Sequence, residues 1–169
     1  MYMTKATIIG ISLFFLTAIT ITVSSCKKTT DEDKVFYDKV KSDVGFTFYK
    51  NSNAVLASSS TSPHNAFFRM RYNDIAFAAM TDNGKLPVGA SFPEGSLVVK
   101  ELYDTQGGAL KLLAVMEKSS SGSTGAGWKW AEYKTDGSAV YSVSKKGDGC
   151  ISCHSNNARD YNAVFYYFP

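Results

Sequence analysis

Residues that bind metals are scarce in this chain. Its 169 residues include three cysteines and two histidines. A structural zinc site usually takes four Cys or His ligands, and one of these cysteines has another predicted use, so a zinc site is disfavoured. Positive charge is not concentrated in any one segment. The 18 Lys and Arg are nearly balanced by 15 Asp and Glu, and the sequence has no basic stripe or Arg cluster. Nucleic acid is therefore excluded as a partner, since its binding sites are built from clustered Lys and Arg.

The chain also lacks an internal repeat and a clear domain linker. Two Ser-rich stretches, 58–62 and 119–123, are each flanked by patterned apolar segments. We predict that they are surface loops within one domain. Residues 34–169 suit a single domain, since about 100–200 residues per domain is usual.

The N-terminus predicts export and lipidation. One positive charge, Lys5, precedes an apolar run over 6–23, and small residues then lead to Cys26. This pattern is typical of a lipoprotein signal, in which the cysteine becomes the lipidated first residue. The alternative is a transmembrane anchor, but that needs about 20 apolar residues and this run is slightly short.

We therefore predict a signal peptide over 1–25 and a lipid-anchored polar tether over 26–33, with Cys26 as the lipidation site. The tether would lift the following domain off a lipid surface. The expected location is the bacterial cell envelope, with the domain periplasm-facing or surface-exposed.

The strongest chemical signal is the pentapeptide Cys150-Ile151-Ser152-Cys153-His154. Two thiols separated by two residues can add to the two vinyl groups of a haem, and the histidine that follows can ligate the iron. A thioredoxin-like redox pair would lie near the start of a βαβ pattern, which is missing here. An ordinary disulfide is the other alternative. We predict one covalent haem c, with His154 as the iron ligand.

Two short helices are predicted in the domain. Val35, Phe36 and Val40 repeat at helical spacing over 33–42. A second helix is predicted over 74–81, with Asn73 as its N-cap and Gly84 beyond its end.

Most of the remaining chain predicts strands. Turn signals of hairpin length, such as Thr135-Asp136-Gly137, separate the patterned segments, and hairpins between consecutive strands imply an antiparallel sheet. The predicted fold class is α+β, a predominantly antiparallel β-sheet with short helices. The haem motif is expected on a loop that runs into a short C-terminal helix. The predicted strands alternate or are rich in β-branched and aromatic residues, and they cover 45–49, 96–103, 109–117, 127–133 and 138–143.

Several segments of this domain share a pattern with a known family. They are 89–102 (GASFPEGSLVVKEL), 115–118 (VMEK), 127–133 (GWKWAEY), 149–154 (GCISCH), 160–161 (DY) and 164–165 (VF). With the CxxCH motif in that order and position, the chain resembles the cytochrome P460 family and its relative, cytochrome c′-beta. The resemblance covers roughly residues 67–168, which is most of the domain.

The resemblance implies a homodimer of antiparallel-sheet subunits. Each would hold one five-coordinate haem with His154 as proximal ligand and an open distal side. In cytochrome P460 proteins a lysine is bonded to the haem ring, a nearby carboxylate moves protons, and hydroxylamine or nitric oxide is oxidised. In cytochrome c′-beta proteins the lysine bond is absent, aromatic residues crowd the distal face, and the haem binds small gases.

Lys100 and Lys85 are the candidates for the crosslink that the resemblance implies. Strand alternation places Lys100 on the same face as Val98 and Leu102, which is an unusual place for a solvated ammonium. Lys85 is the second candidate because its sequence distance from His154 also suits a distal position. The alternative for each lysine is a solvated edge or loop residue.

Charged partners for the haem are also predicted. Glu101 and Glu117 are candidates for the distal carboxylate, although carboxylates on an exposed sheet face are commoner. Arg69 and Arg71 lie on the opposite strand face from Phe68 and are candidates for the haem propionates, because a guanidinium fork matches a carboxylate. A solvated strand face is the alternative for both arginines.

Aromatic residues would define a gas-binding distal face. Phe92, Phe67 and Phe68 are the candidates, because an aromatic ring over the sixth iron position excludes water and leaves room for a diatomic molecule. Core packing is the alternative for each of them. A further group, expected in the core or at a dimer contact, shares one strand face and consists of Trp128, Trp130 and Glu132.

A sixth protein ligand would change the function. His64 could give a bis-His haem, and Met116 could ligate iron as in electron-transfer cytochromes. Met116 shares a strand face with Leu112 and Ala114, which favours packing.

Three functions remain open from the sequence. The first is binding of a diatomic gas at an apolar distal face. The second is a P460-type oxidoreductase that acts on hydroxylamine or nitric oxide. The third is a six-coordinate electron-transfer cytochrome, which would need a redox partner protein.

Overall fold

A computed structural model describes residues 31–60, 62–121, 124–155 and 159–162. The predicted signal peptide, Cys26 and most of the tether lie outside these residues. Within them, short helices flank one antiparallel sheet, which confirms the predicted α+β class. The elements are α1 (Asp31–Val40), β1 (Phe46–Phe48), a 3₁₀ turn (Tyr49–Asn51), β2 (Leu56–Ala57), β3 (Phe67–Asn73), α2 (Asp74–Ala79), β4 (Leu97–Tyr103), β5 (Leu110–Lys118), β6 (Trp128–Lys134), β7 (Ala139–Tyr141), a second 3₁₀ turn (Val143–Lys145) and α3 (Ile151–His154).

The sheet runs in the order β1-β3-β4-β5-β6-β7, and β2 pairs with β3 beside β1. Every pairing is antiparallel. Strands β4 to β7 are neighbours in both sequence and space, as hairpin connections require. The longest strands, β3 to β6, therefore form a continuous platform at the centre of the sheet.

Alternation along the strands separates two apolar clusters, one on each face of the sheet, because successive side chains point to opposite faces. The helix α3 packs against the face that we call the cavity face, and α1 packs against the other, which we call the α1 face. The central cavity-face residues are Phe68, Met70, Tyr72, Val98, Leu102, Met116 and Trp130. The α1-face cluster consists of Phe36, Val40, Leu97, Val99, Leu113, Val115, Ala131, Tyr133 and Val143.

A buried aspartate fastens α1 to the sheet. Asp33 is fully buried, and its carboxylate accepts hydrogen bonds from the Val143 amide at 2.9 Å and the Ser142 hydroxyl at 2.7 Å. At the other end of α1, the guanidinium of Arg71 donates to the carbonyl oxygens of Val40 and Ser42. Both ends of the helix are thus tied to the α1 face.

The predicted elements match the structure with small shifts. Both helices are found, and the Asn73 side chain caps α2 by accepting from the Ala76 amide at 3.0 Å. All five predicted strands are found within two residues at each end. The predicted strand ranges omit β2 and β3, although Arg69 and Arg71 were treated as strand residues. The haem motif was expected on a loop that runs into a short helix, whereas its last four residues themselves form α3. Among the described residues, no helix is long and apolar enough to cross a membrane.

Candidate haem site

A cavity of about 390 Å³ lies between α3 and the cavity face of the sheet. This volume falls within the range of about 300–1,000 Å³ that is typical of ligand and cofactor pockets. The walls combine the CxxCH motif, the strands β3 to β6 and the loop before β3. The lining residues are Ser58, Ser59, Ser62, Pro63, His64, Phe68, Met70, Val98, Lys100, Ala114, Val115, Met116, Trp130, Ala131, Glu132, Gly149, Cys150, Cys153, His154 and Asn162.

His154, at the end of α3, lines this cavity. Its Nδ1 lies 2.7 Å from the carbonyl oxygen of Tyr161. A carbonyl can only accept, so this contact sets Nδ1 as the protonated nitrogen and Nε2 as the nitrogen for a metal. Burial lowers the pKa of His154, which favours the neutral imidazole that ligates iron. The Trp130 ring packs edge-on at 5.1 Å between centroids and restricts the imidazole's orientation.

The two thiols of the motif line the same cavity. Cys150 is half-buried and Cys153 is exposed, and neither forms a disulfide. Burial raises the pKa of Cys150, although a hydrogen bond with Tyr141 opposes this shift. The CxxCH motif therefore presents two reduced sulfurs and an imidazole to one cavity, which is the donor set that a covalent haem needs.

The sheet supplies the opposite wall through one row of paired residues. In register, Met70 pairs with Lys100, Lys100 with Ala114, Ala114 with Glu132, and Glu132 with Tyr141. The row crosses the sheet at right angles to the strands, so all five side chains point to the cavity face. A lysine and a glutamate thus stand on one wall of an otherwise mainly apolar cavity.

Lys100 occupies the site that its strand pattern predicts. Its ammonium lies 4.6 Å from the centre of the Phe68 ring. Burial lowers its pKa from 10.5 to about 8, although the charge of Glu132 acts in the opposite direction. A substantial fraction of the amine is therefore neutral at mildly alkaline pH, which makes it available as a nucleophile.

His64 enters the cavity from the loop before β3. Its Nδ1 lies 3.5 Å from Oε1 of Glu132, and its ring centroid lies 6.4 Å from that of His154. The side chains of His64 and Glu132 keep about a fifth and a quarter of their surface exposed (21% and 28%). The pair therefore connects the cavity to solvent.

Several predicted site residues lie elsewhere. Glu101 is buried on the α1 face between Arg69, at 2.6 Å, and Arg71, at 2.9 Å. Glu117 is on the same face and pairs with Lys39 at 2.5 Å. The structure therefore brings neither carboxylate to the cavity, and Arg69 and Arg71 are engaged with Glu101 away from it.

Only one of the three aromatic candidates lines the cavity. Phe68 lines the cavity, whereas Phe67 points to the other face of β3. Phe92 is buried against Trp128, with ring centroids 5.7 Å apart, and does not line the cavity. Lys85 lies in a turn where its backbone pairs with Asp82.

Glu132 is the site residue that the sequence analysis missed. The signal was present, because Glu132 shares its strand face with Trp130. That face was assigned to the core or a dimer contact. Only the register of β5 with β6 shows that Glu132 stands level with Lys100, two strands away.

The residues of the cavity fit a haem. Thiols and an imidazole with a set tautomer line one wall, and the rest of the lining is largely apolar with few polar groups, as cofactor pockets usually are. Arg69 and Arg71 were the candidates for the haem propionates. Among the described residues, no arginine lines the cavity.

Comparison with known proteins agrees with this geometry. A family model described as Cytochrome P460 matches residues 47–166. A search of curated proteins found no match. The match spans most of the chain, including the cavity-lining strands and the CxxCH motif, and it implies a haem cofactor. The chain therefore belongs to the cytochrome P460 family.

Proposed function

We propose that this protein is a mono-haem c-type cytochrome that oxidises small nitrogen species, namely hydroxylamine or nitric oxide. The observation that carries the proposal is the position of Lys100, half-buried in the cavity wall and in one row with Glu132. The haem, once bound through Cys150 and Cys153, would supply the iron that coordinates the substrate and accepts its electrons. The chain's own residues would hold the cofactor and move protons.

Lys100 is the residue we assign to the bond with the haem ring. Its amine faces the cavity and loses its proton more readily than an exposed lysine. Formation of the bond would join Nζ of Lys100 to a ring carbon, break one N–H and one C–H bond, and release two protons and an electron pair. A peroxide, which is thereby reduced to water, is the oxidant class that we propose for this step.

Glu132 is assigned as the proton acceptor for the substrate. It lines the cavity, and Nδ1 of His64, whose side chain is also partly exposed, lies 3.5 Å from its carboxylate. A proton taken from a bound N–H or O–H group can pass from the carboxylate to the imidazole and then to solvent. An apolar gas-binding face is less consistent with a cavity that contains an ammonium, a carboxylate and two imidazoles.

Electron transfer is the second candidate, because His64 lies in the cavity near His154. In that case His64 would ligate the iron and give a low-spin haem at rest. Replacement of His64 by alanine then distinguishes the two functions. Conversion from a low-spin to a high-spin spectrum would support electron transfer, whereas a high-spin spectrum in both proteins supports an open distal site.

The decisive experiment is mass and spectral analysis of protein from cells that mature cytochromes c. The wild-type mass should equal protein plus haem, less the hydrogens lost on bonding, and its ferrous absorption should be red-shifted. Lys100→Met should retain covalent haem, regain the missing hydrogens and lose the red shift. Glu132→Gln should keep the spectrum and lose most of the oxidation rate, about 100-fold or more for a lost acid–base group.

The matched control is Lys111→Met, since Lys111 lies on β5 with half of its side chain exposed. It should leave mass, spectrum and rate unchanged. An identical absorption spectrum and mass shift in wild type and Lys100→Met would contradict the role of Lys100. A colourless protein with Cys150 and Cys153 joined to each other would contradict haem attachment itself.

We further propose that the protein is a homodimer anchored to an envelope membrane through Cys26. The lipoprotein pattern that ends at Cys26 supports the anchor, and family membership supports the dimer. Wild-type protein should partition into detergent-rich phases and Cys26→Ser should not. Light scattering of the lipid-free domain tests the dimer.

A further inference from the structure

The turn formed by residues 159–162 holds the imidazole of His154. The Asn162 amide closes this turn by donating to the Arg159 carbonyl at 3.2 Å. Asp160 and Tyr161 have φ angles of 50° and 65°, a left-handed conformation that side-chain-bearing residues adopt rarely. Such a backbone persists only where its surroundings hold it. Its result here is that the Tyr161 carbonyl points at Nδ1 of His154.

The carboxylate of Asp160 is what ties this turn to the sheet. One oxygen accepts from the Phe92 amide at 2.7 Å. The other accepts from Nζ of Lys118 at 2.9 Å and from the indole N–H of Trp128 at 3.2 Å. The side chain of Asp160 is only 6% exposed, so water cannot readily replace these partners.

The three donors come from three separate segments. Phe92 lies in the loop before β4, Lys118 ends β5 and Trp128 begins β6. The Lys118 ammonium also lies 5.0 Å from the centre of the Trp128 ring, which packs edge-on against Phe92. The donors are therefore themselves fixed, and Asp160 has one defined position.

We propose that Asp160 is a positioning residue for the haem iron ligand. By fixing the turn, it aims the Tyr161 carbonyl at His154 and so sets the tautomer, the orientation and the basicity of the imidazole. The inference rests on the proposed haem attachment through the CxxCH motif. It extends that proposal to a residue that does not line the cavity.

The physical consequence follows from the hydrogen bond to Nδ1. A well-aimed acceptor draws the Nδ1 proton and makes the imidazole a stronger electron donor, which stabilises ferric iron and strengthens the iron–nitrogen bond. If the turn shifts, this hydrogen bond lengthens. Ferrous iron is then favoured, and the iron–nitrogen bond weakens.

The test compares two variants of the Asp160 contacts with a matched control. Asp160→Asn removes the charge and places an N–H donor among three existing donors. Trp128→Phe removes one of those donors and keeps an aromatic ring. The control is Asp82→Asn, because Asp82 pairs at 2.8 Å with Arg159 of the same turn but is half exposed.

The readouts are the iron–histidine stretching frequency of the ferrous haem, by resonance Raman spectroscopy, and the midpoint potential. In Asp160→Asn the frequency should fall, and the ferrous-to-ferric ratio at a fixed potential should rise by about tenfold, the lower end of the range for lost outer-shell partners. Trp128→Phe should shift both in the same direction by less. Asp82→Asn should match wild type.

Each outcome decides the matter. Unchanged frequency and potential in folded Asp160→Asn, or shifts of equal size in Asp82→Asn, would overturn the inference while leaving the proposed function intact. If Asp160→Asn does not accumulate, Trp128→Phe decides by the same criteria. A wild-type protein without covalent haem would overturn the proposed function, and the inference with it.

Discussion

Replacement of Lys100 by methionine should stabilise the haem-free protein, and the gain should depend on pH. Burial lowers the pKa of Lys100 from 10.5 to about 8. Between these values the unfolded chain binds more protons than the folded chain, so stability rises with pH across this window. Below about pH 8 the full penalty of the buried ammonium applies.

The size of the effect follows from the pKa shift. At about 1.4 kcal/mol per pKa unit, the shift corresponds to roughly 3 kcal/mol at pH 7. The ammonium also gains from the Phe68 ring at 4.6 Å, and a partly desolvated cation–π contact contributes about 1–2 kcal/mol. Methionine suits position 100 because its side chain is flexible, and because the residue paired with Lys100 on β3, Met70, is itself a methionine. The expected net gain is about 1–3 kcal/mol at pH 7.

The assay is urea denaturation at pH 7 and above pH 10.5, in a background with Cys150→Ala and Cys153→Ala so that no haem is attached. The gain at pH 7 should shrink at the higher pH, where the folded amine is neutral and more than half of the unfolded amines are neutral as well. Lys111→Met, the exposed control on β5, should show no such dependence. A gain of equal size at both pH values would show that packing, and not charge burial, is the cause.

Two further predictions concern the α1 face. Asp33→Ala should lower the free energy of unfolding by about 3 kcal/mol in urea, because the Val143 amide and Ser142 hydroxyl lose a buried acceptor; exposed Asp38→Ala on the same helix should barely move the midpoint. Glu101→Gln should destabilise the protein by about 3–5 kcal/mol, since it breaks a buried ion pair, yet leave the haem spectrum and oxidation rate of the folded protein unchanged. A loss of rate in folded Glu101→Gln with normal stability would return Glu101 to the list of catalytic candidates.

Strand alternation was enough to predict Lys100 in the cavity, and it could have excluded Glu101 and Glu117. Glu101 is one residue from Lys100 and must point to the opposite face of the same strand. Glu117 follows Met116 in the same way. The sequence analysis named these carboxylates without applying that alternation, and period-2 geometry makes the immediate neighbours of a cavity residue poor candidates.

Glu132 and Asp160 could not be found in this way, because their roles depend on contacts between distant segments. The position of Glu132 beside the cavity depends on the register of β5 with β6, which places it level with Ala114. A slip by one residue would send it to the other face. Asp160 depends on donors that lie 32, 42 and 68 residues away in sequence. No local pattern specifies such distances.

Strand β3 had no range among the predicted strands, although its alternation placed Arg69 and Arg71 opposite Phe68. The alternatives for the two arginines were the haem propionates and a solvated face. In the structure Arg71 is 1% exposed, because Glu101 neutralises its charge and the end of α1 accepts its N–H groups. A buried arginine of this kind is recognisable only when its partners are known.

The two faces of the sheet thus divide the protein's charged groups by function. On the α1 face, the buried charges have partners within contact distance. Arg71 pairs with Glu101, and Asp33 accepts a hydrogen bond from the Val143 amide, so these charges are compensated. On the cavity face, Lys100 lies against an aromatic ring, and Glu132 is two strands away. Because Glu132 stands two strands away, its charge offsets the burial of the ammonium only in part, and the pKa of Lys100 falls. The same incomplete pairing that costs stability leaves Lys100 and Glu132 available to react with what the cavity holds.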